Sequence, residues 1–350
     1  MVERDLTPTF RADARSFPSI TLVGPRQSGK STLARTTFPD YVHVNFERPD
    51  LQAEAQEDPR GLLARVRAGA ILDEVQRVPR LLSWLQDDID RDPRPGRFIL
   101  TGSNQHALSD AVAQSLAGRT SVLTLLPPDL GELSRFPSPP SDLWTALWTG
   151  AYPRIHDARI PADRWLASYV ATYIERDVRQ ILNVVDLATF RTFLRLVAGR
   201  TAQESNLSAL GSDAGVTQPT ARAWLSVLES SFLLLRLPPW TRSTRKQLVK
   251  APKIHLVDSG LAAHLLGIRS STELSGHPLR GAIFESWVAA ELINTNIISV
   301  VPSPSKISCP NFPFQSRYVW AVNDSPPPVQ VVRELRLNRF PASGTWSNFR

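Results

Sequence analysis

Three short stretches carry residue types suited to handling a phosphate chain. Gly24-Pro25-Arg26-Gln27-Ser28-Gly29-Lys30-Ser31 fits the spacing G-x-x-x-x-G-K-[ST]. The glycines let successive backbone N–H groups turn inward on an anion. A helix starting at the end of the loop, at Thr32, adds partial positive charge. Lys30 is suited to the β and γ phosphates, and the Ser31 hydroxyl to Mg²⁺. Arg26 reads as a solvated or ribose-side residue. Gly69-Ala70-Ile71-Leu72-Asp73-Glu74 is an apolar run ending in two acids. Asp73 is placed to hold Mg²⁺, directly or through water, and Glu74 to polarise a water. Read alone, the pair is equally an acidic helix cap. Phe98-Ile99-Leu100-Thr101-Gly102-Ser103-Asn104 is a second apolar run ending in polar groups. Thr101, Ser103 and Asn104 are candidates to touch the terminal phosphate or the water, and spacing does not choose among them. Arg119, closing Ser115-Leu116-Ala117-Gly118-Arg119, is either an arginine finger, in cis or from a second copy, or a cation at a helix end.

The elements around these stretches must put them on one edge. Ile20–Val23, Tyr41–Phe46, Ala70–Leu72, Phe98–Leu100 and Val122–Leu126 read as short strands. Between them, 32–38, 51–68, 81–89 and 107–117 read as helices, after a polar lead-in over 1–18. The alternation predicts a parallel α/β sheet flanked by helices, whose ligands gather at the carboxyl ends of the strands. The expected organisation is an ATPase-type domain over 1–135, a Pro/Ser-rich linker over 136–149, a mostly α domain over 150–293 and an atypical tail over 294–350.

Composition narrows the class. Of 350 residues, 42% are hydrophobic and 21% charged, which is enough for packed cores and too apolar for a disordered chain. No run of about 18 apolar residues is present, so no transmembrane helix is expected. The start, MVERDLTPTF, lacks the apolar core of a secretory leader, so a cytoplasmic protein is expected. A single cysteine, Cys309, excludes a disulfide framework and a cysteine-based zinc site. The six histidines lack metal-ligand spacing, so Mg²⁺ is the only metal expected.

In the second half, Asn206 to Leu237 reads as a helix, a turn at Gly215 and a second helix over 218–230. Phe232–Leu237 and Lys253–Val257 follow as two strands of a wing. The formal net charge is +7, and between Glu229 and Asp258 there is no acid against six bases. Those bases include Arg242, Arg245, Lys246 and Lys250. They are candidate phosphate contacts to double-stranded DNA, with Gln218, Thr220 and Arg222 on the presented helix. A solvated or domain-docking surface is the alternative. Tyr173–Asp177 reads as a helix salt-bridge set, and Glu285 and Glu291 as surface or structural acids.

Taken together, the motifs resemble a family of prokaryotic AAA+-like P-loop ATPases fused to a C-terminal domain of unknown function. The resemblance covers about residues 15–293. It is carried by the loop, by Ile71-Leu72-Asp73-Glu74-Val75-Gln76, by Leu100-Thr101-Gly102-Ser103 and by Ser115–Arg119. The second half adds Gly150-Ala151-Tyr152-Pro153, Ser168–Asp177, Asn206-Leu207-Ser208, Leu228-Glu229, Leu237-Pro238-Pro239, Lys250–Lys253, Asp258-Ser259-Gly260-Leu261 and Phe284-Glu285. The resemblance implies ATP and Mg²⁺ as ligands and hydrolysis of ATP to ADP and phosphate. No Asn-Lys-x-Asp run points to guanine. It also implies a residue near Thr101–Asn104 that reads the γ-phosphate. One departure stands out. Such proteins continue after the Phe-Glu helix into a nuclease-like Trp-Arg-Asp…Glu-Val-Asp run, and residues 294–350 hold none, as a frameshifted or degenerate segment would. The alternatives are a nucleotide-dependent DNA-binding switch with little turnover and a relic of an ATPase-nuclease fusion. Expected partners are nucleotide, double-stranded DNA, a protein client the sequence does not name, and a second copy through Arg119, with no membrane.

Overall fold

The computed structural model describes residues 2–103, 112, 115–174, 186–239 and 251–294. They divide into two compact units: residues up to Pro127 together with Ser230–Phe232, and Pro128–Glu229 together with the residues from Leu233 onward.

The first unit is a parallel sheet. Its strands are β1 (Ser19–Val23), β2 (Val42–Asn45), β3 (Ala70–Asp73), β4 (Phe98–Gly102) and β5 (Thr120–Thr124), in the order β2-β3-β4-β1-β5. The three inner strands are buried along their whole length. That is why they read as unbroken apolar runs rather than alternating ones. The register pairs Val23 with Gly102 and Thr124, and Asn45 with Asp73. The carboxyl ends of the strands therefore share one edge.

Helices cover the sheet: α1 (Thr7–Ala14), α2 (Lys30–Thr37), α3 (Pro49–Glu57), α4 (Pro59–Arg65) and α5 (Leu81–Arg91). The helical stretch expected over 51–68 is two helices. Pro59 cannot continue a helix but suits a first turn, and the Asp58 carboxylate caps that turn by accepting from the Gly61 N–H at 2.9 Å. Helix α5 buries Leu81, Leu82, Leu85 and Ile89, one face of a 3.6-residue period. The polar lead-in expected over 1–18 contains α1. Its Phe10 is fully buried and meets Phe38 edge-on at 5.2 Å. Burying such a ring stabilises the docked helix by about 1.5–3 kcal/mol, which outweighs the polar residues on its other face.

The second unit is mostly helical. Its longer helices are Ala162–Tyr169, Leu187–Gly199, Leu207–Ala214, Gln218–Ser230 and Arg280–Asn294. Trp224 packs edge-on against Phe190 and Phe193, at 5.2 and 5.1 Å, at the centre of one apolar core. The 136–149 stretch contains a helix, Leu143–Thr149, whose first turn is capped by Asp142. Asn206 caps Leu207–Ala214 by accepting from Ala209 N–H at 3.0 Å, and the chain turns at Gly215 into Gln218–Ser230. The expected pair of strands is present as β7 (Leu234–Leu237) and β8 (Lys253–Leu256). A third strand, β6 (Gln203–Glu204), pairs with β8, so the antiparallel order is β6-β8-β7. No helix among the described residues is long and apolar enough to cross a membrane.

Candidate active site

The loop over Gly24–Gly29 links β1 to α2 and needs two unusual backbone positions. At Gly24 (φ +150°) a Cβ would lie 2.1 Å from the Leu125 carbonyl oxygen, so only glycine lets the chain after β5 press against the loop. Gly29 is the residue before α2 and is left-handed (φ +98°), which turns the loop into the helix start. Gln27 is also left-handed and exposed. Pro25 and Ser28 are buried, and Thr32 faces solvent from the first turn of α2. The Arg26 guanidinium pairs with Glu47 at 3.2 Å.

Lys30 is buried, and its ammonium donates to the Gly24 and Pro25 carbonyls at 2.9 and 2.8 Å. Burial lowers its pKa to about 8, against the opposing pull of Glu74 and Asp73. The ammonium is thus held inside the loop, where an anion would compete well for it. The Ser28 hydroxyl is buried with no hydrogen-bond partner among the described residues. A buried, unpaired donor at the loop and a cation held only by carbonyls fit a phosphate chain.

The acids line up beside the loop. Ser31 Oγ donates to Asp73 Oδ1 at 2.9 Å, Thr101 Oγ1 donates to the same oxygen, and His43 Nε2 lies 3.3 Å from Asp73 Oδ2. Burial pushes the Asp73 carboxyl up, but the bonds from His43, Thr101 and Ser31 outweigh it and hold it below the ordinary value. A charged carboxylate touching a serine hydroxyl is the donor set Mg²⁺ takes in loops of this kind. Glu74 is left-handed (φ +56°), and its N–H donates to Thr101 Oγ1 at 3.3 Å. Such a conformation is rare for a non-glycine residue and clusters at functional sites. Ser103 Oγ donates to Glu74 Oε2 at 3.0 Å, and the Gln76 amide donates to the same oxygen.

The structure therefore brings together the loop, Lys30, Ser31, Asp73, Glu74 and Ser103. Asn104 lies outside the described residues. Arg119 is not brought to the loop. It precedes β5, so it stands at the amino edge of the sheet, where its carbonyl accepts from Ser19 N–H at 3.2 Å. Its side chain pairs with Asp90 on α5, Nε–Oδ1 2.5 Å. Gln218 and Arg222 are exposed and Thr220 half-buried on the first turns of Gln218–Ser230. Arg242, Arg245, Lys246 and Lys250 lie outside the described residues, as do residues 175–177 of the Tyr173–Asp177 set and the 295–350 tail. Glu285 bonds Lys253 at 3.0 Å. Glu291 accepts from Leu130 N–H at 3.1 Å, and burial raises its pKa to about 8, with Asp129 and Glu132 adding to the shift.

The sequence assigned no role to His43 or Gln76, which bond the two acids, or to Arg4, which bonds the Ser28 carbonyl of the loop. Gln76 lies two residues past the acids, a local signal. His43 and Arg4 arrive from 30 and 24 residues away and left no pattern to read.

Residues 16–134 match the model of an AAA domain family, and residues 140–272 match a domain of unknown function. Uncharacterized proteins of Mycobacterium bovis and Mycobacterium tuberculosis are each 30% identical over 83% of this chain and 65% of their own. The chain thus spans about two thirds of these relatives' length. An uncharacterized protein of Haemophilus influenzae is 22% identical over 70% of this chain and 68% of its own. Among solved structures, a Walker-type ATPase of Pyrococcus abyssi is 14% identical with a TM-score of 0.49, covering 76% of this chain and 96% of that one.

Proposed function

From a chain that joins an AAA domain to a domain of unknown function, we infer an Mg²⁺-dependent ATPase, converting ATP and water to ADP and phosphate. One observation carries the reading: a buried lysine, a serine-bound carboxylate and a second, twice-bonded carboxylate converge where β1, β3 and β4 end. When bound, Mg·ATP supplies the scissile phosphoanhydride bond and the metal's charge. Lys30 exchanges its loop carbonyls for phosphate oxygens, and the loop N–H groups hold the chain in line. Ser31 and Asp73 would hold the metal. Glu74, fixed through one oxygen by Ser103 and Gln76, accepts from the attacking water with the other. Arg119 reaches phosphate only from a neighbouring copy. A cytoplasmic location accords with this chemistry.

The test is ATP turnover by the purified chain beside Lys30→Ala and Glu74→Gln. Loss in both supports the reading, and undiminished turnover in either defeats it.

A second reading rests on the second unit. A short strand, a helix pair and then two strands, joined in one sheet in the order β6-β8-β7, with Gln218 and Arg222 exposed, have the connectivity of a winged helix, which suits a DNA groove. In that case the chain is a nucleotide-dependent DNA-binding switch coupled to conformational change. ATP-dependent retention of a DNA duplex that survives Glu74→Gln would favour the switch. Retention that is absent with and without ATP would remove it.

A further inference from the structure

We propose that Arg4, outside every motif above and outside the matched AAA segment, is a positioning residue for the nucleotide phosphates. It rests on the reading that the loop binds Mg·ATP. Arg4 is 6% exposed. One arm of its guanidinium, Nη1, donates to the Ser28 carbonyl at 2.9 Å, and the other, Nη2, to the Leu126 carbonyl at 2.8 Å. Nη1 is also 3.8 Å from where a Cβ would stand on Gly29. The guanidinium thus lies against the loop beside its last peptide unit, the one that joins Ser28 to Gly29.

That position has a consequence for the N–H of the same unit. In a trans peptide the C=O and the following N–H point in opposite directions. A Ser28 carbonyl tied to Arg4 therefore turns the Gly29 N–H away from Arg4, and on the loop reading that is the side offered to the anion. Gly29 has no Cβ to resist rotation, so without a tie this unit is free to turn its carbonyl on the phosphates. The second arm fixes the frame. Leu126 adjoins Leu125, whose carbonyl presses on Gly24 at the other end of the loop. Arg4 bolts the last turn of the loop to the segment that its first residue packs against. Lysine copies this poorly, because one nitrogen would have to reach both carbonyls that the planar fork serves from two. The arm is itself anchored: Thr7 Oγ1 donates to the Arg4 carbonyl at 2.7 Å, and Phe10 of α1 is buried against the core.

The experiment measures calorimetric binding of Mg·ATP and of adenosine, which has no phosphate, to the full chain. The variants are Arg4→Ala, Arg4→Lys and Lys30→Ala, with thermal melts alongside. Arg4→Ala is expected to weaken Mg·ATP about tenfold, the loss of one charge-assisted bond's orientation, and to leave adenosine unchanged. Arg4→Lys is expected to stay weakened at an unchanged melting temperature. Unaltered Mg·ATP affinity in Arg4→Ala overturns the proposal, as does an equal loss for adenosine, which is what a merely loosened unit would give. If Arg4→Ala does not fold, Arg4→Lys decides: weakened binding upholds the proposal and normal binding overturns it. Equal Mg·ATP binding by Lys30→Ala and the unmodified chain would instead refute the loop reading, and the proposal with it.

Discussion

Thr101→Val tests the hinge between the two acids. The Thr101 hydroxyl is fully buried, donates to Asp73 Oδ1 and accepts from Glu74 N–H. Valine keeps the shape and removes both bonds. A hydrogen bond to a charged group is worth about 1.5–3 kcal/mol, and an N–H left unpaired in the interior costs about 1–3 kcal/mol. The second bond is long at 3.3 Å, so its share sits at the low end. The expected loss is about 3 kcal/mol, or a fall of roughly 10 °C in the melting of a unit this size. The pH dependence has a definite sign. Hydrogen bonds hold Asp73 below its ordinary value of 3.8, so the stability it contributes is present above that pH and lost as pH falls through its folded value. The gap between Thr101→Val and the unmodified chain should therefore be full at neutral pH and shrink in acid. Nucleotide binding by the variant should also need more Mg²⁺, because burial is left less opposed at Asp73. Melting curves and Mg²⁺ titrations of Thr101→Val and Thr101→Ser measure both effects, with serine expected to keep most of each. If Thr101→Val melts with the unmodified chain and needs no more Mg²⁺, Thr101 does not hold Asp73 in place.

Three further outcomes follow from particular groups. Lys30 is lowered to about 8 from 10.5, so the free folded chain binds fewer protons than the unfolded one between those values, and stability rises with pH across that window. Phosphate favours the ammonium, so binding Mg·ATP at about pH 9 should take up close to one proton, read by calorimetry in buffers of different ionisation heat; no uptake would contradict a Lys30–phosphate contact. Gln76→Ala frees one of the two donors on Glu74 Oε2 and should lower kcat about tenfold while leaving KM for ATP nearly unchanged. A raised KM at constant kcat would assign Gln76 to binding instead. Glu291 is raised to about 8 from 4.5, so the folded chain binds more protons in that window and loses stability as pH rises through it. Glu291→Gln keeps an acceptor for Leu130 N–H and should flatten this decline by up to a few kcal/mol near neutrality. An unchanged slope in a pH series of melts would show that Glu291 carries no such strain.

The parts of this protein legible in its sequence are those whose signal is local. An apolar run ending in Asp73-Glu74, or in Thr101-Gly102-Ser103, announces both the strand and the edge where its polar end must sit. Asn206 and Gly215 announce the limits of a helix in the same way. Contacts made across the sheet left no such signal. Helix α1 reads as polar because Phe10 is the one large apolar side chain among its three buried residues, and nothing in Val2–Thr7 foretells a guanidinium against a loop 24 residues on. Strand β6 is two residues long, too short for any period. Arg119 is a different case, decided by direction rather than distance in sequence. Reading the fifth strand as 122–126 leaves room for the residues before it to wander. Its start at Thr120 does not. A residue just before a parallel strand and a loop just after its neighbour are separated by a strand's length, roughly 16 Å for five residues. Arg119 is thereby removed from the phosphates of its own loop, and any finger it provides must be offered to another copy.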